Sequence, residues 1–232
     1  LPMSFFFLFY CFGSWLQVDR NVGLVLDELE KLGLDNTTVV AFIGDHGWQL
    51  GDLGEFGKKT NFERATRAPM IIRDPRAKTQ PAMTSAALVE FVDLMPTLIN
   101  LALGEEHNPP LCPPVSTLVD FCTEGRSLVP LMKDPIGTKD SRHAVFMQYA
   151  ACMHDEMVWH DACSSKSEPH IMGMCIRTRR WRYVEWVSFD KFSGSPIWTE
   201  LWGSELYDHT LEDSVSNSAE AINLVARENL AP

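Results

Sequence analysis

An aspartate, a histidine and a lysine lie close together in one short stretch of this chain, and their side chains can bind a metal ion and an anion. Asp45 and His46 follow directly on the run 37–43, and Lys58 comes in the next glycine-rich loop. Carboxylate and imidazole groups are metal ligands, and an ammonium group attracts anions. Metal-dependent sites that hydrolyse anionic substrates are commonly built in this way. The residues therefore predict such a site at positions 45–58.

The run 37–43 reads TTVVAFI and is continuously β-branched or apolar. It predicts a strand that is buried on both faces in a parallel sheet. Asp45 and His46 would then lie at the carboxyl end of the strand, where open α/β sheets bind their ligands. An alternative stays open at this point, because an aspartate and a glycine after a strand are also ordinary turn residues.

Longer motifs around these residues resemble the sulfatase family. The stretch 44–58, GDHGWQLGDLGEFGK, is similar to the strand-SDHG turn of the family and the G-E-x-x-x-K motif that follows it. Residues 18–33 resemble the family helix that precedes the metal strand, and Gly33 would end it. Residues 61–72 resemble the next loop and strand, and residues 92–98 resemble a V-D-x-x-P-T-L helix start. Four features resemble the branch of the family that acts on sulfated iduronate, namely His46, Trp48 and the segments 112–125 and 171–178. The resemblance covers residues 15–210.

The resemblance implies roles for individual residues. Asp45 and His46 are expected to bind calcium, Lys58 to contact the sulfate and take part in catalysis, and Trp48 to shape the substrate pocket with residues 52–53. Calcium and the lysine would offset the negative charge of the transferring sulfuryl group.

Two departures from the family pattern bear on this site. Gly44 stands in place of the usual serine, and Leu53 stands where relatives often have histidine. Either change could loosen the hydrogen bonds that orient the metal ligands.

The implied fold is α/β, the C-terminal part of an alkaline-phosphatase-like sulfatase fold with a small antiparallel C-terminal subdomain. A composition break at residues 133–138 places the partial α/β domain at 15–133 and the subdomain at 141–232. The subdomain is expected to contain strands at 144–149, 175–189 and 204–207 and a terminal helix at 218–227.

The family nucleophile is a formylglycine, made from the cysteine of a C-x-P-S-R or C-x-A-S-R motif, and residues 1–232 contain neither. We therefore expect the formylglycine on a missing N-terminal half, and this chain alone to be inactive. The apolar segment 1–14 lacks the positive flank of a signal peptide and is shorter than the span of about 20 residues that crosses a membrane. For this segment we expect a truncated or mis-spliced gene model, with a cryptic signal or anchor as the alternative.

The net charge of −11 argues against nucleic acid as a partner. The expected partner is a sulfated glycosaminoglycan or a smaller sulfated sugar, which two basic segments could bind. The first contains Lys58, Lys59, Arg64, Arg67, Arg73, Arg76 and Lys78, and the second contains Arg177, Arg179, Arg180 and Arg182 beside Trp181, Tyr183 and Trp186. In the second segment, strand alternation would instead leave the arginines simply solvated.

The cysteines and one sequon favour a lysosomal or secreted protein without firm membrane association. The resemblance implies a disulfide between Cys112 and Cys122, which forms in oxidising compartments. Asn36 begins an Asn-Thr-Thr glycosylation sequon. The string Cys152, His154, His160, Cys163 could hold zinc, but its spacing fits no common finger, and a second disulfide or an unpaired insertion is the alternative.

Three alternatives compete with sulfate ester hydrolysis, and one of them is a purely structural fragment with no activity. The first is a phosphodiesterase or phosphomutase of the same superfamily, which usually binds two zinc or manganese ions through several Asp and His ligands. This chain shows a single plausible pair. The second is a non-catalytic remnant that keeps an anion-binding surface.

Overall fold

The computed structural model describes residues 3–51, 55–77, 83–115, 119–135, 142–153, 159–160 and 170–209. For residues 3–12, 152–153 and 159–160 it describes the backbone alone. The chain divides into two compact units, which comprise Leu1–Ile43 with Met70–Ala82, and Gly44–Pro69 with Met83–Pro232. The predicted helix at 218–227 lies outside the described residues, and the predicted division at 133–141 stays a prediction.

The first unit begins with helix α1 (Met3–Lys31), and the predicted helix at 18–33 is part of it. Gly33 ends the helix in the left-handed conformation, with φ 69°. Its amide donates to the carbonyl of Glu30 at 2.8 Å, and the amide of Leu34 donates to the carbonyl of Leu29 at 3.1 Å. This is the Schellman pattern of helix termination, so the prediction that Gly33 stops the helix is confirmed.

The same unit contains a two-stranded sheet, β1 (Val40–Ile43) with β4 (Met70–Arg73). The strands run antiparallel, with Val40 opposite Arg73. Phe42 is 37% exposed and Ile43 is 38% exposed. The prediction of a strand buried on both faces of a parallel sheet is therefore wrong for the described residues. An apolar run favours a strand, but its partner and burial depend on what packs against it.

No helix in the described parts of the chain is both long enough and apolar enough to reach across a lipid bilayer.

The second unit contains a five-stranded antiparallel sheet in the order β6-β5-β7-β8-β9. Its strands are β5 (Ala144–Met153), β6 (Trp159–His160), β7 (Ile171–Thr178), β8 (Trp181–Asp190) and β9 (Ser195–Asp208). The predicted strand at 175–189 is two strands, because the Thr178 hydroxyl accepts from the amide of Trp181 at 2.9 Å and closes a tight turn. The predicted antiparallel character of this region is confirmed. Ile171, Val184 and Val187 are fully buried and form part of the sheet's core.

The V-D-x-x-P-T-L motif begins a helix, as predicted. A 3-10 turn at Phe91–Asp93 leads into α3 (Leu94–Leu103). Asp93 is fully buried, and its carboxylate accepts from the amides of Glu90 at 2.9 Å and Arg126 at 2.8 Å. The Thr97 hydroxyl donates to the carbonyl of Asp93 at 2.6 Å and accepts from the amide of Leu128 at 2.8 Å. These bonds connect the start of α3 to the segment before α4 (Val129–Lys133).

Cys112 and Cys122 are joined by a disulfide in the same unit. The loop that they close is also held by backbone, since the amide of Cys112 donates to the carbonyl of Thr123 at 2.9 Å and the amide of Thr123 donates to that of Pro110 at 2.9 Å.

Candidate functional site

The turn that carries Asp45 and His46 is held by its flanking glycines. The amide of Gly44 donates to the carbonyl of Pro69 at 3.0 Å, and the amide of Gly47 donates to that of Ala65 at 2.8 Å. A Cβ atom at position 47 would lie 1.9 Å from the carbonyl oxygen of Arg64, in helix α2 (Glu63–Thr66). Only glycine allows this approach, so the turn is fixed against α2 through its backbone.

The structure brings Asp45, His46 and Lys58 together. Lys58 follows the short antiparallel pair β2 (Gln49–Leu50) and β3 (Phe56–Gly57). Its Nζ lies 2.5 Å from Nε2 of His46, and Nε2 lies 3.3 Å from Oδ2 of Asp45. The Asp45 side chain is 85% exposed, whereas that of His46 is 29% exposed. The three groups therefore form a solvent-facing cluster with an open carboxylate.

Both ring nitrogens of His46 have a polar partner. An ammonium group has no acceptor, so Nε2 must accept the hydrogen bond from Lys58. Nδ1 lies 2.7 Å from the carbonyl oxygen of Gly47, which can only accept. These contacts fit the tautomer that carries its proton on Nδ1, in which the ring orients the Lys58 ammonium.

Trp48 and Gln49 extend the cluster along the chain. The rings of His46 and Trp48 have centroids 6.1 Å apart and an interplanar angle of 31°, and Trp48 is 38% exposed. Gln49 is 1% exposed, and its Oε1 accepts from the Thr60 hydroxyl at 3.1 Å. This bond links the segment after Asp45 to the segment after Lys58. Residues 52–53, predicted at the pocket rim, lie outside the described residues.

The donor set fits part of a calcium shell. The exposed Asp45 carboxylate supplies the hard oxygen atoms that calcium prefers, while Nε2 of His46 already accepts from Lys58. Calcium takes about 6–8 oxygen ligands, more than these residues provide. In the described parts of the chain, no group of three or more His, Cys, Asp or Glu side chains could hold a metal ion.

Both interpretations of the second basic segment are wrong for Arg177 and Arg182, since neither side chain is available to a sugar and neither is solvated. Arg177 is 5% exposed, and its Nε donates to Glu63 at 3.1 Å. Arg182 is fully buried, and its Nη1 donates to the carbonyl of Asn61 at 3.1 Å. Arg180 is exposed and pairs with Asp208 at 2.8 Å.

These buried charges shift pKa values around the site. Burial by itself would raise the pKa of Glu63, but Arg177, His209 and Arg182 attract the carboxylate and the net pKa is lowered. Burial lowers the pKa of Arg182 and raises the pKa of the free, buried Cys175 thiol to about 12. Glu63 is thus held as a carboxylate next to the turn that carries His46.

The first basic segment is not one row of unpaired cations. Arg73 and Arg76 belong to the first unit, where they contact the carbonyl of Asp35 at 3.0 Å and the carboxylate of Asp74 at 2.9 Å. Lys58, Lys59 and Arg67 are exposed in the second unit.

Three remaining predictions concern residues away from the cluster. Lys78, His154 and Cys163 lie outside the described residues, so zinc binding by the predicted string stays a prediction. Asn36 is exposed in the turn after α1, and its glycosylation also stays a prediction.

Curated relatives of this chain are sulfatases. A sequence model described as "Sulfatase" matches residues 11–105. The alignment with human iduronate 2-sulfatase is 225 residues long at 32% identity, and it covers 84% of this chain and 40% of that protein. The N-acetylglucosamine-6-O-sulfatase of Bacteroides thetaiotaomicron is 34% identical over 135 residues, which are 58% of this chain and 22% of that protein. The chain thus spans 40% of the length of the human relative.

Solved structures of similar fold include a protein in complex with its substrate D-glucosamine-2-N,6-O-disulfate. It has a TM-score of 0.54 and 27% identity, over 85% of this chain and 33% of that one. The phosphonate monoester hydrolase of Silicibacter pomeroyi has a TM-score of 0.58 and 25% identity, over 83% of this chain and 32% of that one. The fold is therefore α/β and corresponds to the C-terminal part of an alkaline-phosphatase-like sulfatase. From the motifs, the fold and these relatives together, we conclude that the chain belongs to the sulfatase family.

Proposed function

We propose that Asp45, His46 and Lys58 form the sulfate-binding part of a sulfuric ester hydrolase of the iduronate 2-sulfatase type. The observation that carries this proposal is the Lys58 ammonium, which His46 holds at 2.5 Å next to an exposed carboxylate. An ammonium group oriented by the His46 ring is suited to a sulfate oxygen, since hydrogen bonds between charged groups are the strong ones.

Each residue has a distinct part in the proposed site. Lys58 binds the sulfate and stabilises the charge that develops during its transfer, so it is the catalytic residue that this chain supplies. His46 orients that ammonium, and Asp45 is the residue that would ligate calcium, which would add positive charge beside the sulfate when bound. Trp48 offers an exposed ring face at the edge of the cluster.

The nucleophile is proposed to be a formylglycine, which no motif in residues 1–232 can provide. We accordingly propose that this chain binds sulfate esters without hydrolysing them. An assay of sulfate release by this chain, which should show no turnover, tests that part separately.

The proposed substrate is a sulfated glycosaminoglycan or a smaller sulfated sugar. This is supported by the names of the relatives, one of which is an N-acetylglucosamine-6-O-sulfatase, and by the structure in complex with a disulfated glucosamine. We also propose a lysosomal or secreted location, which the Cys112–Cys122 disulfide and the exposed sequon at Asn36 support.

Binding of a sulfated iduronate disaccharide, measured by calorimetry in calcium buffer, tests the proposed site. Lys58→Met should weaken binding at least tenfold, since a hydrogen bond to a charged group contributes about 1.5–3 kcal/mol. The matched control is Lys59→Met, which removes an equal charge from the adjacent exposed position and should leave the affinity within about twofold, because Lys58 and not Lys59 belongs to the cluster with His46 and Asp45. Equal losses in both variants would show that the attraction is non-specific and would refute the site.

The similarity in fold to a phosphonate monoester hydrolase is an argument for the phosphodiesterase alternative. A phosphonate monoester in the same calorimeter distinguishes the two. Tighter binding of the phosphonate, dependent on zinc or manganese in place of calcium, would favour that alternative.

A further inference from the structure

A buried asparagine attaches the segment that carries Lys58 to the C-terminal sheet. Asn61 is 5% exposed, and its Nδ2 donates to the carbonyl of Gly173 in β7 at 3.0 Å. The backbone carbonyl of Asn61 accepts a hydrogen bond from Nη1 of Arg182 in β8 at 3.1 Å. Two neighbouring strands thus hold the backbone three residues beyond Lys58.

Gly173 is the residue that lets Asn61 approach the sheet. A Cβ atom at position 173 would lie 2.6 Å from Nδ2 of Asn61 and 2.7 Å from the Trp186 side chain. Gly203 lies on the other side of Trp186 in the sheet, and a Cβ there would meet nothing within 4 Å. A Cβ atom at position 173 would therefore disturb the contact with Asn61, whereas position 203 has room for one.

Arg182 makes further contacts at the junction between Asn61 and the sheet. Its guanidinium lies 4.9 Å from the ring centroid of Phe62 and 4.6 Å from that of Tyr207, and these two rings meet edge to face at 5.9 Å. Among the described residues, its buried Nε and Nη2 atoms have no hydrogen-bond partner. Stacking on the two rings and the bond from Nη1 to Asn61 hold the cation in place.

A short series of contacts connects this junction to the cluster. The amide of Phe62 donates to the Thr60 hydroxyl at 3.1 Å, and that hydroxyl donates to Gln49 at 3.1 Å, next to the turn of His46. Because Asn61 and Phe62 are held by the sheet, the direction of the chain at Lys58 is held as well.

We propose that Asn61, Gly173 and Arg182 are positioning residues for Lys58, so that the C-terminal sheet sets the contact between the ammonium and His46. The inference rests on the proposed function for its importance to sulfate binding, but the contact itself can be measured without any sulfate. The sheet is then an integral part of the anion site.

The tautomer of His46, read from long-range 1H–15N NMR spectra of the full 232-residue chain, tests the proposal. The spectra are recorded at about pH 8, where an ordinary histidine is neutral, and a His46→Gln variant assigns the signal. In the wild-type chain the proton should reside on Nδ1, because Nε2 accepts from Lys58. Gly173→Ala and Asn61→Ala should each shift the signal toward the Nε2–H form, whereas Gly203→Ala should not.

The double variant of residues 61 and 173 should shift the signal no further than either single variant, since both remove the same link. Folding is monitored by the dispersion of methyl signals. If Gly173→Ala does not fold, Asn61→Ala decides, since it removes atoms and introduces no clash. Folded variants that retain the wild-type His46 signal would overturn the proposal. A chain that shows the predicted shifts but binds no sulfate ester would support the positioning role and refute the proposed function.

Discussion

Arg142 lies between two carboxylates, and its replacement by glutamine should strongly destabilise the second unit. Its Nη2 lies 2.6 Å from Asp93, its Nη1 lies 2.6 Å from Glu90, and its Nε donates to Asp93 at 3.0 Å. The Arg142 side chain is 13% exposed, that of Glu90 is 18% exposed and that of Asp93 is not exposed at all. The hydrogen bonds to Asp93 raise the pKa of Arg142.

Glutamine at position 142 would leave Asp93 buried without its cation. Removal of one partner from a buried ion pair costs about 3–5 kcal/mol. In a chain of this length each kcal/mol corresponds to about 2–4 °C, so the melting temperature should fall by about 6–20 °C. The control is Arg180→Gln, which breaks an ion pair whose arginine side chain is 59% exposed. Its cost should be about 0–1 kcal/mol, because solvent screens exposed pairs.

Thermal unfolding by circular dichroism at low and high salt measures both variants. Only the small loss in Arg180→Gln should shrink in high salt, because salt screens exposed charges more than buried ones. Equal falls in melting temperature would refute the conclusion that burial makes the Arg142 pairs strong.

Two further predictions concern stability. The folded pKa of Glu63 is lowered, so its ionisation stabilises the fold fully above the unfolded pKa of about 4.3 and less as the pH falls through the folded pKa. In denaturant titrations, Glu63→Gln should therefore lower the free energy of unfolding most near neutral pH and progressively less under acid conditions. A loss that does not depend on pH would contradict this. The double variant Cys112→Ser with Cys122→Ser should lower the free energy of unfolding by roughly 3 kcal/mol, because the unfolded chain regains the loop entropy that a disulfide with a sequence separation of 10 removes. A reducing agent should produce the same loss in the wild type and none in the variant.

Local patterns were sufficient for the elements that short-range chemistry determines. Gly33 ends α1 because the left-handed terminus favours glycine, and Pro96 of the V-D-x-x-P-T-L motif lies in the first turn of α3, where its missing N–H costs no hydrogen bond. Asp45, His46 and Lys58 lie within one short stretch of sequence, and their proximity could be expected from the motif.

Long-range pairing was beyond the sequence. Arg177 meets Glu63 across 114 positions, and nothing in the local pattern of β7 indicates that partner. The role of Asn61 was missed for the same reason, although the glycine in the Ile-Met-Gly motif at 171–173 was a signal for close backbone approach. The antiparallel pairing of β1 could not be read from its composition, since apolar β-branched runs suit either direction.

Diffraction from crystals of the full chain soaked with calcium and selenate, a sulfate analogue, is the decisive test of anion binding at Lys58, because the anomalous signal of selenium locates the anion. We expect one selenium peak within hydrogen-bonding distance of Lys58 Nζ, on the side of the Asp45 carboxylate, and no such peak in crystals of Lys58→Met. Peaks confined to other basic residues, or a peak that persists beside residue 58 in Lys58→Met, would contradict it.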